Sequence, residues 1–362
     1  MPPPDDRVAR LRLIRSENIG PVTYFQLLAR FGSAQAAIDA IPDLAARGGG
    51  RAPRLAGRAE IEREIESVER LGARHLFVGR GLYPPLLAEL ETAPPALIVK
   101  GDTGLLDRRT VAMVGARNAS AAACRYARHL AQALGAAGAV VVSGLARGID
   151  SAAHDGSLDT GTIAVIAGGI DVVYPPENEA RQAAIGERGL LVAEQPPGVE
   201  PRARHFPYRN RIIAGLAQGT VVVEAAPKSG SLITARHAAE FGREVMAVPG
   251  SPLDPRAQGC NLLIRDGATL IQSADDVLEA LSPLSSRPFR QRERDYAADG
   301  PTADADERAR GGIVGLLGPT PVPVDELIRQ SGFSPALVHT VLLELELAGR
   351  LERHAGGRVS LA

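Results

Sequence analysis

The chain has 362 residues, of which 45% are hydrophobic, and its formal net charge at pH 7 is -1. This length allows two or three domains with buried cores, whereas the neutral total excludes a protein that is basic over its whole surface. The two cysteines, Cys124 and Cys260, exclude a disulfide scaffold and give no spacing for a zinc site. No run approaches about 18 apolar residues and no signal-peptide pattern opens the sequence, so we expect a cytoplasmic protein without a membrane segment.

Residues 7–75 predict a small helical module. Apolar residues recur every three or four positions around Leu11 and again from Pro21, which is the spacing of an amphipathic helix. Proline at position 21 after Gly20 is typical of a helix start. The letters N-I-G-P, from Asn18, are similar to half of a helix-hairpin-helix turn. We therefore predict a SAM or helix-hairpin-helix-like module that packs against other elements rather than reading DNA.

From residue 96 to 282 the pattern changes to short strands that alternate with helices. The predicted strands share near-continuous runs of small and branched apolar residues, and they are Ala96–Val99, Thr110–Val114, Ala139–Val142, Thr162–Ile166, Leu190–Ala193, Thr220–Val223 and Glu244–Val248. Such runs are typical of parallel strands buried on both faces. The predicted fold class is therefore α/β, a doubly wound Rossmann-like parallel sheet, whose ligands would bind beyond the carboxyl ends of the strands.

Two further segments complete the predicted organisation. Residues 283–310 are rich in Pro, Ser, Ala, Asp and Arg and predict a flexible linker. Residues 311–362 predict three helices and a hairpin, which is a winged-helix module. Its third helix carries Glu344 and Glu346, whereas the arginines fall on the predicted wing, so we favour a protein-interaction or accessory role over the reading of a DNA groove.

Five turns beyond the predicted strands combine glycine with basic or hydroxyl side chains. The residues that we predict to bind a polyphosphate are Gly115, Arg117 and Ser120 in the first turn; Ser143, Gly144, Arg147 and Gly148 in the second; Gly168 and Asn178 in the third; Phe206, Arg209, Asn210 and Arg211 in the fourth; and Lys228, Ser229, Gly230, Ser231 and Thr234 in the fifth. Glycine permits close backbone approach, arginine binds phosphate bidentately, and helix N-termini attract anions. Several such turns along one edge favour an extended strand of DNA or RNA over a single mononucleotide.

The fourth turn, H-F-P-Y-R-N-R-I-I-A-G-L from His205, is the most informative segment. Aromatic residues interleave there with arginines, and single-stranded nucleic acid is bound by cationic grooves that also offer stacking platforms. The alternative is that the arginines only solvate a loop and cap a helix. The recurrence of basic and hydroxyl residues in the other turns favours binding.

An enzyme remains the alternative. The sequence has no G-x-G-x-x-G and no phosphate-binding G-x-x-x-x-G-K-[ST], which argues against an NAD enzyme or an ATPase of the P-loop class. Glu194 and Glu224 end neighbouring predicted strands and could serve a nucleotide- or phosphoribosyl-hydrolysing enzyme. Asp150 is expected to cap a helix and His154 to be structural, so no catalytic residue and no metal ligand are assigned.

With these motifs in order, the chain resembles the DNA processing protein A family (DprA, also called Smf). The resemblance is carried by G-A-R-N-A-S, S-G-L-A-R-G-I-D, G-G-I-D-V-V-Y-P-P-E-N, F-P-Y-R-N-R-I-I-A-G-L, V-V-V-E-A-A-P-K-S-G-S-L-I-T-A, V-P-G-S-P and G-C-N-L-L-I-R-D-G-A, between Gly115 and Ala268. Where the family commonly has G-S-R, this chain has alanine at Ala116, which removes one hydroxyl and leaves the guanidinium of Arg117.

The resemblance implies a non-catalytic protein that binds single-stranded DNA, protects incoming strands in natural transformation and loads the RecA recombinase onto them. It also implies a homodimer formed through the Rossmann-like domain and no nucleotide cofactor. By motif position, Arg117 would hold a backbone phosphate and Phe206 would stack on or wedge against a base. Arg209, Arg211 and Lys228 would extend the basic track.

Overall fold

The computed structural model describes residues 4–282, 305–354 and 356–362. Within them the chain forms two compact units. The terminal unit contains the described residues up to 63 together with those from 305 onward, and the sheet unit contains residues 64–282. Among the described residues, no helix has the length and apolar character that crossing a bilayer requires.

The helices and strands follow one another along the described chain. The helices are α1 (Pro4–Arg15), α2 (Pro21–Phe31), α3 (Ala34–Arg47), α4 (Arg58–Arg70), α5 (Pro85–Ala88), α6 (Ala121–Ala136), α7 (Ile149–Ser157), α8 (Glu179–Arg188), α9 (His205–Leu216), α10 (Ser231–Glu240), α11 (Gln258–Arg265), α12 (Ala274–Ala280), α13 (Glu307–Val314), α14 (Val324–Ser331) and α15 (Pro335–Leu347). The strands are β1 (Arg74–Phe77), β2 (Ala96–Gly101), β3 (Thr110–Val114), β4 (Val140–Ser143), β5 (Thr162–Ile166), β6 (Leu190–Ala193), β7 (Gly219–Val222), β8 (Glu244–Ala247), β9 (Thr269–Leu270), β10 (Val322–Pro323), β11 (Leu351–His354) and β12 (Arg358–Leu361).

The sheet unit is built on a nine-stranded sheet of the described residues, in the order β1-β2-β6-β5-β4-β3-β7-β8-β9. All strands from β6 to β9 in that order pair in parallel, as predicted, and each of the seven predicted strands is present to within two residues. The sheet is not parallel throughout, because β1 and β2 pair antiparallel at one edge. Sequence reasoning placed Arg74 and His75 in the helical module, whereas both lie in β1.

Helices cover both faces of this sheet. Val111 and Met113 of β3 pack in one apolar core with α6 and α7, while the intervening positions of β3 face the opposite side. There the hydroxyl of Thr110 donates to the carbonyl of Leu216 at the end of α9, which packs against α10. The chain order reverses between β3 and β7, so this layout is a doubly wound fold with its switch point at those strands.

The terminal unit combines the helical module with a winged helix. Its N-terminal part packs α1, α2 and α3 around Tyr24 and Ile41, both fully buried. In the C-terminal part, α13–α15 pack on a three-stranded sheet of order β10-β12-β11, with the predicted hairpin turn at Gly356 and Gly357. Ser334 caps α15 by accepting the amide of Leu337.

The predicted linker over 283–310 is too long at its C-terminal end. Residues 307–314 form α13, and the carboxylate of Asp306 accepts the amide of Ala309 to cap that helix. A side-chain acceptor at the N-cap satisfies one of the amides that the first helical turn leaves free. The remainder of the predicted linker, residues 283–304, lies outside the described residues.

Candidate nucleic-acid interface

A cleft of about 230 Å³ lies at the carboxyl end of β4 and β5, beside the turn that follows β3. We call it the arginine cleft. Its walls come from three strand ends, the loop before α8 and the exposed side of α9, and they are Arg117, Leu145, Ala146, Arg147, Ile166, Ala167, Gly168, Val172, Tyr174, Pro175, Pro176, Glu177, Pro201, Phe206 and Arg209. The position agrees with the sequence prediction that ligands bind beyond the carboxyl ends of the strands.

Three side chains form a stack at one wall of the arginine cleft. The guanidinium carbon of Arg117 lies 5.0 Å from the centre of the Phe206 ring, a cation–π distance. The ring of Tyr174 also contacts Phe206, with 5.5 Å between the ring centres and an angle of 53° between the ring planes. Tyr174 remains 45% exposed. The wall therefore presents a charge and two aromatic surfaces at one place.

Arg209 supplies a second cation to the cleft from the interior. Its side chain is only 7% exposed and lies against the buried carboxylate of Asp150. Burial lowers the pKa of Arg209 to about 10, an effect that Asp150 opposes and the nearby Arg117 reinforces, so the guanidinium stays charged at neutral pH. Its Nε has no hydrogen-bond partner among the described residues.

The fit around Arg209 explains the glycine of the second turn. A β-carbon on Gly144 would lie 1.9 Å from Nη1 of Arg209 and 2.5 Å from Oδ2 of Asp150. Asp150 is not the N-cap predicted from the sequence, because Gly148 holds that position at the start of α7. Instead Asp150 accepts the amide of Ala146 at 3.3 Å, and burial raises its pKa against the opposing influence of Arg209.

The other predicted residues of the second and third turns divide between the cleft and the scaffold. Arg147 lies at the mouth, exposed, with its Nη1 3.9 Å from the carboxylate of Glu177. Gly168 lines the wall and leaves room for Val199, whose carbonyl oxygen would be 2.8 Å from an added β-carbon. Gly148 has a φ of 77° and passes close to the carbonyl of Ala116.

Two further predicted residues, Ser143 and Asn178, have protein hydrogen-bond partners in this structure. Ser143 is fully buried, and its hydroxyl donates to the carbonyl of Met113 at 2.6 Å, which ties β4 to β3. Asn178 is 2% exposed, and its amide donates to the carbonyl of Leu145 at 2.8 Å. Each side chain is therefore already engaged, Ser143 at the end of β4 and Asn178 immediately before α8.

Arg211 lies outside the arginine cleft. It is 7% exposed, and its Nη2 donates to Oε1 of Glu194 at 2.6 Å. Residues 209 and 211 both face inward because α9 is covered by the sheet on one side and by α10 on another. Arg209 reaches the cleft, whereas Arg211 is not among the residues that line it.

The first predicted turn contributes Arg117 to the cleft, but Ser120 has another partner. Its amide and hydroxyl donate to the two carboxylate oxygens of Glu224, at 3.0 Å and 2.8 Å, and the same hydroxyl accepts the amide of Ala123. Glu224 thus occupies the N-terminus of α6, where the sequence predicted an anion from outside. Gly115 permits this packing, since a β-carbon would lie 2.6 Å from the Ile149 side chain.

The fifth turn lies away from the arginine cleft, at the start of α10. Lys228 is exposed, while Thr234 is 1% exposed and Ser229 and Ser231 hydrogen-bond each other at 2.7 Å. Asn210 connects this turn to α9, because its amide donates to the carbonyl of Gly230 at 3.3 Å. None of these predicted residues lines the cleft.

Sequence reasoning missed one aromatic residue of the site. Tyr174 is not among the residues predicted to bind, because it precedes Pro175 and Pro176, and a proline pair is typical of a rigid loop. The loop is indeed held, since Gln182 donates to the carbonyl of Val172 at 3.0 Å. The signal that could have identified Tyr174 is its residue type, since an aromatic side chain in a turn that is predicted to bind offers a surface for stacking.

Three models of known protein families match successive segments of the chain. Residues 74–282 match the family model for DNA recombination-mediator protein A, residues 4–67 match the DprA-like N-terminal HHH domain, and residues 297–357 match the DprA winged helix domain. The sequence is 48% identical over 198 residues to DNA processing protein DprA of Streptococcus pneumoniae, which covers 54% of this chain and 70% of that protein. It is 38% identical over 315 residues to Protein Smf of Escherichia coli, covering 84% of this chain and 82% of the relative.

Two solved structures agree with the fold. The X-ray structure of DprA from Streptococcus pneumoniae superposes with a TM-score of 0.65 at 36% identity, covering 77% of this chain and 98% of that one. A structure of DNA processing protein A from Helicobacter pylori, described for its single-stranded DNA binding mode, superposes with a TM-score of 0.53 at 29% identity and covers 58% of this chain and 95% of that one. The chain belongs to the DNA recombination-mediator protein A family, which includes the DNA processing proteins DprA and Smf.

Proposed function

We propose that the protein binds single-stranded DNA along the arginine cleft, with phosphates at the guanidinium groups and a base against Phe206. The observation that carries the proposal is the grouping of Arg117, Arg147 and Arg209 beside two aromatic rings in one cleft of about 230 Å³. A cationic groove with stacking platforms is the common means of holding a single strand without regard to sequence. The described binding mode of the Helicobacter pylori relative supports the same ligand.

The buried position of Arg209 strengthens this assignment. A guanidinium that is 7% exposed loses much of its hydration, and Asp150 beside it is itself a buried group whose pKa is raised. A phosphate in the cleft would add a second negative partner in a poorly hydrated place. Charge-assisted hydrogen bonds to phosphate are stronger there than at an open surface.

The proposal extends to what happens to the bound strand. The protein protects it and loads the RecA recombinase onto it, in natural transformation and recombination, and acts in the cytoplasm without catalysing a reaction. The description of the matching family as a recombination mediator supports this role. The rate at which RecA begins to hydrolyse ATP on oligo-dT should rise with the wild type and much less with Arg117→Ala.

We also propose that the protein acts as a homodimer through the sheet unit. Leu262 of α11 and Leu270 of β9 are 37% and 47% exposed, and β9 is the last strand at its edge of the sheet. Such an edge has unpaired backbone groups and exposed apolar side chains that a second copy would cover. Sedimentation should give a dimer for the wild type and a smaller species for Leu270→Glu, and a monomeric wild type would contradict this part of the proposal.

The central experiment is fluorescence-anisotropy binding of labelled oligo-dT and of a matching duplex, over a series of salt concentrations. The wild type should prefer the single strand, and its affinity should fall steeply with salt because cations released from the phosphates drive binding. Arg117→Ala should weaken the single-strand affinity by about ten-fold or more and make the salt dependence shallower by about one phosphate contact.

Arg188→Ala is the matched control for the loss of one positive charge. Arg188 lies at the end of α8, near the start of β6, where the amino ends of the parallel strands lie opposite the cleft. It pairs with the exposed carboxylate of Asp159 at 2.9 Å. It should leave the affinity and its salt dependence close to those of the wild type. Equal losses for both variants would mean that only net charge matters and would remove the proposed cleft.

A nucleotide- or phosphoribosyl-hydrolysing enzyme is the rival proposal. Both of the acids it needs have partners, Glu194 with Arg211 and Glu224 with the start of α6. Among the described residues, no group of three or more His, Cys, Asp or Glu is placed to hold a metal ion. Turnover of nucleoside monophosphates by the wild type that disappears in Glu224→Gln, with an unchanged unfolding midpoint, would establish the enzyme and displace the binding proposal.

A further inference from the structure

Three consecutive glycines, Gly48–Gly50, follow α3 and have no part in the proposed DNA site. Two of them lie in ordinary backbone conformations, Gly48 with a φ of -70°. Conformation therefore does not require glycine at Gly48 or Gly50. Contact does, because a β-carbon on Gly48 would lie 2.1 Å from the carbonyl oxygen of Glu344, and one on Gly50 would lie 2.4 Å from the carbonyl oxygen of Ala348.

The helix that these glycines contact, α15, is buried on two sides. Val338, Val341 and Leu345 pack in the core of the winged helix. On another side, Leu343 and Leu347 belong to the apolar core of the N-terminal helices and are 3% and 0% exposed. In an isolated winged helix that second side would be exposed to water, and the exposure of two large apolar side chains is unfavourable.

Polar contacts fix the same junction. Nη1 of Arg350 donates to the carbonyl of Gly48 at 3.0 Å. On the adjacent strand β11, Arg353 donates through Nε to Glu346 at 2.8 Å and through Nη2 to Gln26 of α2 at 3.4 Å. Two of the arginines that the sequence placed on the wing are thus engaged within the terminal unit. Their guanidinium groups bind protein acceptors there.

We infer that the glycine triplet is the docking seat of the winged helix, and that the second half of α15 is a protein interface whose partner is the chain's own N-terminal module. The packing of this interface is of the kind found inside domains. It includes the close backbone approach at Gly48 and Gly50, two buried leucines and the hydrogen bond from Arg350. The half of α15 that carries Leu343 and Leu347 does not enter a DNA groove, and the two ends of the chain unfold together.

The test is hydrogen exchange of the full-length protein carrying Gly48→Ala. Alanine suits the backbone at this position and would slightly stabilise a free helical module by restricting its unfolded chain. With the winged helix docked, the same methyl group collides with Glu344, so amides of α15 over 343–347 and of α3 should exchange at least ten-fold faster. The sheet unit should be unaffected.

Gly57→Ala is the matched control, because the nearest atom to an added β-carbon is 4.0 Å away. It should leave exchange unchanged. Leu347→Ala provides a second variant that removes an apolar contact without a collision, and it should speed exchange in α3, on the other side of the junction. If Gly48→Ala leaves α15 unchanged, or Leu347→Ala leaves α3 unchanged, the two modules are not docked and the inference is wrong.

Discussion

The guanidinium of Arg117 and the ring of Phe206 are in cation–π contact, 5.0 Å apart, although they come from different turns of the sheet unit. The sequence separates them by about ninety positions, and the doubly wound sheet brings the ends of their strands to one edge. In the proposed site they have different roles, since the guanidinium binds a phosphate by its charge and the ring binds a base by stacking. The two contributions respond differently to salt.

Phe206→Leu should weaken binding of oligo-dT about ten-fold while leaving its salt dependence unchanged. Stacking of one base on an aromatic ring contributes about 1–3 kcal/mol and releases no counterion. Anisotropy titrations at several salt concentrations measure both quantities. Phe241→Leu is the control, because Phe241 is a half-buried ring beside His237 at the other end of the strands. A shallower salt dependence in Phe206→Leu would show that the ring acts by holding Arg117.

Gly144→Ala should reduce single-strand affinity by more than ten-fold through the displacement of Arg209. The added methyl group would lie 1.9 Å from Nη1 of Arg209, which has no free space because the pair with Asp150 is buried. The same anisotropy assay measures the loss, and circular dichroism verifies folding. Gly186→Ala, in α8, is the control, since the nearest atom to its added β-carbon would be 3.3 Å away, in the side chain of Leu191. Full affinity in folded Gly144→Ala would exclude Arg209 from the site.

Arg211→Ala should act on stability first. Removal of this guanidinium leaves the partly buried Glu194 without its 2.6 Å hydrogen bond. Loss of one partner from such a pair lowers the free energy of unfolding by about 2 kcal/mol. Urea unfolding should show a lower midpoint for Arg211→Ala and an unchanged one for Arg117→Ala. If Arg211→Ala instead unfolds like the wild type and loses DNA affinity, Arg211 contacts phosphate directly and its pairing with Glu194 is secondary.

Acidification should destabilise the sheet unit through His154. This side chain is buried between Thr162 and the carbonyl of Gly144, and burial lowers its pKa to about 4 from a usual value of 6.5. Between these values the unfolded chain binds a proton that the folded one does not, so stability present at pH 7 falls as the pH decreases. The expected loss between pH 7 and pH 5 is about 2 kcal/mol.

Urea unfolding at the two pH values measures this loss, and His154→Gln is the comparison. Glutamine keeps a donor and an acceptor but does not titrate in this range, so the difference between pH 7 and pH 5 should shrink by about the same 2 kcal/mol. An equal pH dependence in the variant would assign the effect to other groups.

The sequence predicted the fold well because its signals are local. Runs such as V-V-V before Glu224 indicate buried parallel strands, and Ser334 followed by Pro335 indicates a helix start. The edge strand β1 was missed because Arg74–Phe77 is short and half polar, and its strand conformation depends on pairing with β2. Pairing of that kind leaves no periodic pattern in the strand itself.

The sequence analysis placed its candidate residues beyond the carboxyl ends of the strands, and only some of them line the arginine cleft. Residue type identified Arg117, Arg147, Phe206 and Arg209, since each of them lines the cleft. It could not separate Arg209, which lies against Asp150 and lines the cleft, from Arg211, which lies two positions further along α9 and pairs with Glu194 outside it. Nor could it reveal that Glu224, just beyond the end of β7 and more than a hundred positions away, accepts a hydrogen bond from Ser120.

The junction between Gly48 and Arg350 also has a consequence for biosynthesis. The two residues lie 302 positions apart, so at about 5–20 residues per second a ribosome needs roughly 15–60 s to make the second after the first. During that time the side of the N-terminal helices that Leu343 and Leu347 will cover has no winged helix to cover it. A chain that stops early keeps that apolar surface uncovered, where chaperones and proteases can recognise it, and only a chain translated through α15 closes it.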